Sequence, residues 1–225
     1  MILDKYINKN RRKIRPLLSK KNKKHRIISG NLKGYKIFTN WHDYPSAILG
    51  RTEKELLAWF SKNIQKGETW IDVGANYGYT TIALEKYIGD NGEIFAFEPV
   101  PTTCAALLQT IHINNFKNVS VYCLALGCES AFSIKYFEIS RGMLTNENDL
   151  FSIGIPFISF DQIWASNTRD TINGIKIDVD GRELEVLIGM KTQLEKYHPK
   201  IILEVHDLTY NSVNDFLIGL GYKNL

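Results

Sequence analysis

The sequence predicts an α/β fold built on a doubly wound, mainly parallel sheet of the Rossmann-like kind. Apolar segments of strand length alternate with amphipathic helical segments along most of the 225 residues, a pattern typical of parallel sheets covered by helices. The first strand of this pattern runs into an acidic residue and a glycine-rich turn, Asp72-Val73-Gly74-Ala75-Asn76-Tyr77-Gly78. In doubly wound sheets, ligands bind in the crevice outside the carboxyl ends of such strands. The chain is long enough for one domain of this type with an appendage.

A helix is predicted before the glycine-rich turn, from Thr52 to Gly67. Thr52 and Glu55 have the spacing of a capping box, in which both side chains bond to backbone N–H groups at the helix start. A short strand over Leu32–Thr39 is predicted before this helix, and the first strand of the sheet, Thr69–Val73, is predicted after it.

After the turn, helical and strand periodicities alternate regularly. Pro101 suits the first turn of a helix, where its missing N–H is not needed, and Ser159 with Gln162 predicts a second N-cap. Residues 131–139 alternate like a hairpin strand, whereas residues 141–150 are predicted as loop. The remaining predicted elements are helix Tyr79–Ile88, strand Glu93–Phe97, a helix from Pro101, strand Val119–Leu126, a short helix through Trp164, strand Gly174–Val179, a helix from about Arg182, strand Lys200–Val205 and a helix around Val213–Leu220.

The residues of the turn indicate a nucleoside cofactor rather than a dinucleotide. Asn76 occupies the second glycine position of the dinucleotide fingerprint, and no third glycine follows Gly78. A diphosphate needs close backbone approach at that point. Glu98 ends the next apolar strand, where its carboxylate can accept two hydrogen bonds from a ribose diol. S-adenosylmethionine (SAM) is therefore the leading candidate for the cofactor.

Several segments, in order, resemble the FkbM family of SAM-dependent methyltransferases. They are Ile71–Gly78, Phe97–Pro101, Ala125–Gly127, Phe160–Asp161, Lys176–Leu187 and Ile202–His206. The resemblance spans about residues 46–222 and implies a class I methyltransferase fold, SAM as the methyl donor and most often a hydroxyl acceptor on a sugar or another small natural product. The family usually has Glu where this chain has Asp180, which keeps the charge and shortens the side chain by one methylene.

The cofactor is expected to lie between the turn and the ends of the neighbouring strands. Small residues let the backbone of the turn approach a ligand closely, and the helix that follows offers N–H groups to the methionine carboxylate of SAM. Adenine recognition would use backbone groups near Ala125, which has no polar side chain. The predicted cofactor-binding residues are Asp72, Gly74, Ala75, Asn76, Gly78, Glu98, Pro99 and Ala125.

Two pairs of polar residues at the ends of later strands predict the catalytic groups. Asp178 and Asp180 are two positions apart, and Glu204 and His206 repeat this spacing, so each pair points to one side of the sheet. Because parallel strands open into the same crevice, we expect the four side chains near the sulfonium of SAM. A sugar hydroxyl needs a base or a metal; His206 is the predicted base, and Asp180 is the second choice.

The same acids have two alternative roles. Asp178, Asp180 and Glu204 could hold Mg²⁺ or another divalent cation through their oxygens. In a competing interpretation, Asp178 caps the following helix and Glu204 pairs with Lys176 or Arg182, which leaves one or two catalytic groups. Methyl transfer also gains from holding donor and acceptor in line, so a site without a strong base is still expected to support turnover.

The net charge of +4 is unevenly distributed along the chain. Residues 1–36 contain 13 lysines and arginines and one acid, Asp4, whereas residues 37–225 contain 15 basic and 23 acidic residues. This contrast divides the chain into a basic N-terminal arm, 1–36, and a methyltransferase domain, 37–225. The arm could bind nucleic acid, an anionic membrane surface or an acidic substrate, or it could be a solubilising tail.

Other features limit the class of protein. The sequence has no apolar run of membrane-spanning length, and no apolar segment of a secretory signal follows the basic N-terminus. The cysteines are odd in number and lack C-x-x-C spacing, which favours a cytoplasmic protein, with peripheral membrane attachment through the arm as a further option.

The C-terminal edge of the predicted sheet is short. SAM-binding sheets commonly close with an antiparallel hairpin of two strands, and only the start of one is present here, which predicts a shortened sheet edge or a truncated chain.

The predicted function is a SAM-dependent O-methyltransferase that acts on a sugar, glycan or glycolipid hydroxyl by in-line displacement. The alternative is a ribose-directed nucleic-acid methyltransferase whose arm holds phosphates. Enzymes that methylate base nitrogens usually carry Asn/Asp-Pro-Pro-aromatic where this chain reads Asp178-Val179-Asp180-Gly181, so base methylation is disfavoured. A scaffold without enzymatic activity is disfavoured by the intact turn and Glu98.

Overall fold

A five-stranded parallel sheet forms the centre of the computed structural model, which describes residues 18–138, 143–145, 152–167, 170–205 and 209–223. The strands are β1 (Lys23–Arg26), β2 (Lys36–Thr39), β3 (Thr69–Val73), β4 (Glu93–Phe97), β5 (Val119–Tyr122), β6 (Ala125–Leu126), β7 (Ala131–Glu138), β8 (Met143–Thr145), β9 (Ser152–Ile158), β10 (Gly174–Ile177) and β11 (Lys200–Leu203). The helices are α1 (Pro45–Leu49), α2 (Lys54–Asn63), α3 (Tyr79–Ile88), α4 (Pro101–Asn114), α5 (Phe160–Ala165), α6 (Glu183–Gly189), α7 (Lys191–Tyr197) and α8 (Tyr210–Gly219).

The central sheet has the order β11-β10-β3-β4-β5, with every neighbouring pair parallel. The chain winds outward from β3 through β4 to β5, then returns to the other side of β3 for β10 and β11. The strand order therefore reverses between β3 and β10, and this switch point is where open α/β sheets bind ligands. The predicted doubly wound sheet is confirmed.

The two faces of the sheet bury separate cores. Alternate residues of β3 show this division, since Trp70 packs into one core and its neighbour Ile71 into the other, as expected for the alternating side chains of a strand. The first core includes the N-terminal hairpin and helices α1 to α4. The second includes helices α5 to α8. Apolar burial on both faces explains why β3 is buried along its whole length.

The hairpin β1–β2 joins residues of the basic arm to the core. Phe38 donates a backbone hydrogen bond to the Thr110 hydroxyl of α4 at 3.0 Å, and Lys36 donates one to Asn114 at 2.9 Å. Ile27 and Leu32 are fully buried. Within the described part of the arm, apolar side chains therefore anchor a strand pair whose charged side chains face outward.

The start of α2 differs from the prediction. The helix begins at Lys54 with Glu53 at the N-cap position, and no side chain caps it. The Thr52 hydroxyl donates instead to the Glu53 carboxylate at 3.3 Å. The capping box is therefore wrong. The predicted end at Gly67 is also wrong, because the backbone becomes extended at Ile64.

Two predicted strands and one predicted loop also change. The predicted strand Val119–Leu126 divides, because β5 pairs with β4 whereas Ala125–Leu126 pairs with β9 in a second, four-stranded sheet. The predicted strand Leu32–Thr39 shortens to β2, since residues 31–34 form a turn. Met143–Thr145, in the predicted loop, pairs with β7 as β8. These differences reflect pairing between distant segments, which local periodicity does not report.

Among the described residues, no helix is both long enough and apolar enough to cross a membrane.

Candidate functional site

The glycine-rich turn leaves β3 at the switch point and packs against the end of β10. The backbone N–H groups of Gly74 and Ala75 both donate to the Phe97 carbonyl at 3.0 Å. Gly74 has φ 76°, and a Cβ atom there would lie 1.9 Å from the Asp178 carbonyl oxygen. Glycine is therefore required at this position by conformation and by space together.

Replacement of Gly74 by alanine is expected to destabilise the fold by about 2 kcal/mol more than the same change at Gly67. Gly67 also has positive φ, 84°, but a Cβ there would meet nothing within 4 Å. The two variants share the conformational strain, and only Gly74→Ala adds the collision. Urea unfolding of both variants would measure the difference in their free energies of unfolding. Equal losses of stability would contradict the close contact between Gly74 and the Asp178 carbonyl.

The second glycine of the turn serves helix packing. Gly78 caps α3 with φ 89°, and a Cβ atom there would lie 2.7 Å from Leu107 of α4. The Thr110 hydroxyl of the same helix donates to the Tyr77 carbonyl at 2.9 Å. This contact places the start of α3, and the N–H groups it presents, directly against α4.

Asp72 lies beneath the turn and is fully buried. Its carboxylate accepts hydrogen bonds from the hydroxyl of Thr81 at 2.7 Å and that of Thr80 at 3.0 Å. Both threonines belong to the first turn of α3, so Asp72 fixes the beginning of that helix relative to β3.

Glu98 follows β4 and is 6% exposed. Its two carboxylate oxygens accept the backbone N–H of Asn76, at 3.0 Å, and that of Val100, at 2.9 Å. Burial raises the pKa of Glu98 to about 7, although these two N–H bonds and Lys176 act in the opposite direction. Each oxygen accepts one backbone bond and retains lone-pair capacity for a further donor. Pro99 stands between Glu98 and Val100 in this loop.

Lys176 is a central residue of the site that the sequence reasoning treated only as a pairing partner. Its side chain is 5% exposed, donates to the Gly74 carbonyl at 3.1 Å, and lies 3.6 Å from Asp72 and 3.5 Å from Asp178. The strand register places Lys176 directly beside Asp72. A lysine within the buried strand Gly-Ile-Lys-Ile was the available signal, since a buried lysine requires a paired charge.

Two of the predicted catalytic acids stand at adjacent strand ends. Asp178 follows β10 and Glu204 follows β11, and the N–H of Glu204 donates to the Ile177 carbonyl at 3.0 Å. The Asp178 side chain is 40% exposed. Asp180 lies in the turn beyond, with φ 52°, so the strand alternation expected to align it with Asp178 ends before it. His206, the predicted base, lies outside the described residues.

One part of the competing assignment for these acids is wrong. The helix after β10 begins at Glu183 with Arg182 at its N-cap, so Asp178 does not cap it; Asp178 pairs with Lys176. Arg182 forms its ion pair with Glu185. Within the described ranges, no three His, Cys, Asp or Glu side chains form a group that could hold a metal ion.

Segment 40–53 lies beside the glycine-rich turn, a proximity that the sequence did not reveal. The Tyr77 hydroxyl donates to Asp43 at 3.3 Å, and the same carboxylate pairs with His42 at 2.7 Å. Burial and the Asp43 carboxylate raise the pKa of Tyr77. Ala125 begins β6, with two residues between it and the end of β5.

A family model of the methyltransferase FkbM domain matches residues 72–223. The chain belongs to the FkbM methyltransferase family. The resemblance seen in its sequence is confirmed, and so is the predicted class I methyltransferase fold, with its mainly parallel sheet. The matched region contains the turn, Glu98, Lys176 and both acidic strand ends.

This FkbM chain is 29% identical over 160 residues to the hexuronic acid methyltransferase AglP of Haloferax volcanii, a match that covers 69% of this chain and 63% of AglP. The chain thus spans less than two thirds of the length of that relative. Among solved structures it is similar to an FkbM methyltransferase of Methylobacillus flagellatus, with 16% identity, a TM-score of 0.46, and coverage of 65% of this chain and 39% of the other. It is also similar to a precorrin-6y C5,15-methyltransferase of Geobacter metallireducens, with 18% identity, a TM-score of 0.49, and coverage of 76% and 72%.

Proposed function

We propose that this protein is a SAM-dependent O-methyltransferase that methylates a hydroxyl group of a sugar or glycan. The observation that carries the proposal is the buried Glu98 carboxylate, which is bonded to the backbone of the glycine-rich turn at the switch point of the sheet. Its free lone pairs suit the two ribose hydroxyls of a nucleoside. The strands β10 and β11 are followed by the carboxylates of Asp178 and Glu204. A carboxylate can accept a hydrogen bond or a proton from a hydroxyl group of the acceptor.

The proposed cofactor contacts divide between direct and supporting residues. Gly74, Ala75 and Asn76 offer close backbone approach, Glu98 and the adjoining Pro99 hold the ribose, and backbone near Ala125 lies on the adenine side. Asp72 and Gly78 support this arrangement by fixing the start of α3.

SAM supplies an electrophilic methyl group on a positively charged sulfur. The acceptor oxygen forms its bond to the methyl carbon as the carbon–sulfur bond breaks, and the acceptor proton passes to a protein base. Asp178, Asp180 and Glu204 are the described candidates for that base, and His206 remains the predicted one. In-line positioning of the two substrates supplies a further part of the rate.

The sugar assignment is supported by the relative AglP, which acts on a hexuronic acid. We also propose that two of the acids Asp178, Asp180 and Glu204 hold a divalent cation, since no three such side chains form a metal-binding group among the described residues. Mg²⁺ takes one or two protein carboxylates and keeps several waters, so such a site would need only two of these acids together.

The experiment that tests the proposed function is a methyl-transfer assay with isotopically labelled SAM. Separate reactions would contain neutral sugars, uronic acids, glycolipids and RNA, each with and without EDTA. Incorporation into a sugar hydroxyl is expected, and loss of it with EDTA would indicate a metal. Binding of SAM without transfer to any sugar or glycolipid would overturn the sugar assignment, and failure to bind SAM would overturn every methyltransferase assignment.

The alternative acceptor, nucleic acid held through the basic arm, is favoured by one observation. Four lysines and an arginine on or beside β1 are exposed: Lys20, Lys21, Lys23, Lys24 and Arg26. If they bind phosphates, RNA affinity should fall steeply as salt rises, by about 0.7 in log–log slope for each phosphate contact on a single strand.

Charge reversal on β1 would separate these two functions. If the protein acts on nucleic acid, the double variant Lys23→Glu and Lys24→Glu should reduce both the salt dependence of RNA affinity and the rate of RNA methylation. If the sugar assignment holds, the same variant keeps the full rate of sugar methylation. Filter binding of labelled RNA between low and high salt measures the slope.

A further inference from the structure

Glu53 has a backbone conformation that its residue type disfavours. Its φ is 54°, in the left-handed region, and it occupies the N-cap position of α2 without giving that helix a side-chain cap. Glycine or asparagine would accept this conformation more readily. Strained non-glycine residues of this kind concentrate at functional sites, where another requirement selects the side chain.

Two tyrosines, Tyr44 and Tyr79, pack beside the glycine-rich turn. The Tyr44 ring lies 6.1 Å from the ring of Tyr79, the first residue of α3, and 6.2 Å from the ring of Tyr77. Tyr79 is 2% exposed, and its hydroxyl has no hydrogen-bond partner among the described residues. A buried hydroxyl without a partner is unfavourable and points to a missing ligand group.

The electrostatic interactions of these hydroxyls connect them to both sides of the site. Burial and the Glu53 carboxylate raise the pKa of Tyr79 to about 12. The pKa of Tyr44 is also raised, by burial first, then by the carboxylates of Glu53 and, more weakly, Asp178. The Tyr44 hydroxyl therefore lies in the field of carboxylates from the residue before α2 and from the end of β10.

We propose that Glu53, with the hydroxyls of Tyr44 and Tyr79, binds the acceptor, and that the acceptor is an uncharged polyhydroxylated sugar rather than a uronic acid. This inference rests on the proposed function and names its substrate class. Hydroxyl groups of the acceptor would donate charge-assisted hydrogen bonds to the Glu53 carboxylate. One oxygen of the acceptor would accept a hydrogen bond from the Tyr79 hydroxyl.

The preference for an uncharged acceptor follows from the charges at this end of the sheet. Glu53 and Asp178 are acidic, so the carboxylate of a uronic acid would face like charges, an arrangement that rejects a ligand. Lys176, the cation in contact with Asp178, is buried and already shared with Asp72. The expected substrate thus differs in charge from the one named for AglP.

Three variants test the assignment, with Glu55→Gln as a matched control. Glu55 is an exposed glutamate in the first turn of α2, two positions from Glu53. Glu53→Gln is expected to raise KM for a neutral methyl glycoside by about tenfold, the loss of one charge-assisted hydrogen bond. Tyr79→Phe is expected to raise it by about fivefold without lowering Tm, since the hydroxyl has no described protein partner to lose. Glu55→Gln should change neither quantity.

Glu53→Gly separates function from structure. Glycine relieves the left-handed strain, so Tm should stay the same or rise while acceptor binding weakens as in Glu53→Gln. Saturation-transfer NMR of the methyl glycoside would measure acceptor binding without turnover, and calorimetry would show SAM affinity unchanged within about twofold.

The inference is overturned if Glu53→Gln and Tyr79→Phe leave acceptor KM at the wild-type value, or if wild-type protein prefers the uronide to the neutral glycoside. In both cases sugar methylation itself would still be observed, so the proposed function would stand. If wild-type protein binds SAM but methylates no sugar, both the function and this inference fail.

Discussion

Replacement of Glu98 by glutamine is expected to weaken SAM binding by about a hundredfold. The carboxylate holds two backbone N–H groups, those of Asn76 and Val100, and has capacity for two ribose hydroxyls. A glutamine amide offers one acceptor oxygen and turns an NH₂ group toward one of the two backbone donors. Loss of a charge-assisted bond to the ribose and of one N–H bond to the turn accounts for roughly 3 kcal/mol. Isothermal titration calorimetry with SAM measures the change.

The same variant has a second signature in its pH dependence. Burial raises the pKa of Glu98 to about 7 from the ordinary value of 4.5. Between these values the folded protein binds more protons at this site than the unfolded chain, so ionisation lowers the stability of the ligand-free protein as pH rises from 4.5 through about 7. SAM affinity should rise over the upper part of this window, because the ionised carboxylate accepts both ribose hydroxyls. Glu98→Gln should remove both contributions.

Glu85→Gln is the control for the Glu98 variant. Glu85 is also a buried acid whose pKa is raised by burial, but it lies on α3 near the end of that helix remote from the turn. This variant should bind SAM with the affinity of the wild type. If Glu98→Gln binds SAM equally well, then Glu98 does not hold the ribose.

Replacement of Lys176 by methionine is expected to destabilise the fold by about 3–5 kcal/mol, the usual loss when one partner of a buried ion pair is removed. Asp72 is fully buried and would keep its charge without its cation, and Asp178 would lose its ion pair. The Gly74 carbonyl would also lose a hydrogen bond, so SAM affinity should fall as well. Urea unfolding gives the stability change.

A double variant identifies the cause of this loss. Asp72→Asn removes the stranded charge, and its amide can still bond to the hydroxyls of Thr80 and Thr81. Combined with Lys176→Met, it should recover about 1–3 kcal/mol relative to the sum of the single variants. Lys191→Met is the control, because its exposed pair with Glu195 contributes less than about 1 kcal/mol. Strict additivity of the two single variants would show that Lys176 and Asp72 do not interact.

The prediction from sequence succeeded where one segment determines its own structure. The bounds of β3, α3 and β4 were predicted without error, and Ser159 caps α5 as expected, accepting the N–H of Gln162. Each of these elements has strong periodicity and a clear start or end signal. The capping box at Thr52 failed because α2 begins one residue later than the spacing predicts, with Glu53 at the N-cap in a left-handed conformation, and sequence spacing does not report that backbone conformation.

The edge of the sheet that carries the proposed catalytic acids was predicted only in part. The carboxyl ends of adjacent parallel strands are bound to meet, so Asp178 and Glu204 could be assigned to one edge from their positions. Asp180 could not be placed, because its left-handed backbone departs from the strand geometry on which the alternation rule depends. The role of Lys176 depends on the register between β10 and β3, which places it beside Asp72, 104 positions earlier in the sequence. No local sequence pattern specifies this register.

The sequence by itself determined the doubly wound sheet, the glycine-rich turn followed by Glu98 and the membership of the FkbM family, because these depend on periodicity and on contiguous motifs. Only the tertiary structure decided which residues surround that turn. Segment 40–53 is brought beside α3 by the packing of the N-terminal hairpin on α4, and Lys176 is brought beneath it by the pairing of β10 with β3. Contacts between distant segments follow from burial and hydrogen bonding over the whole chain, so they appear only when the chain is folded.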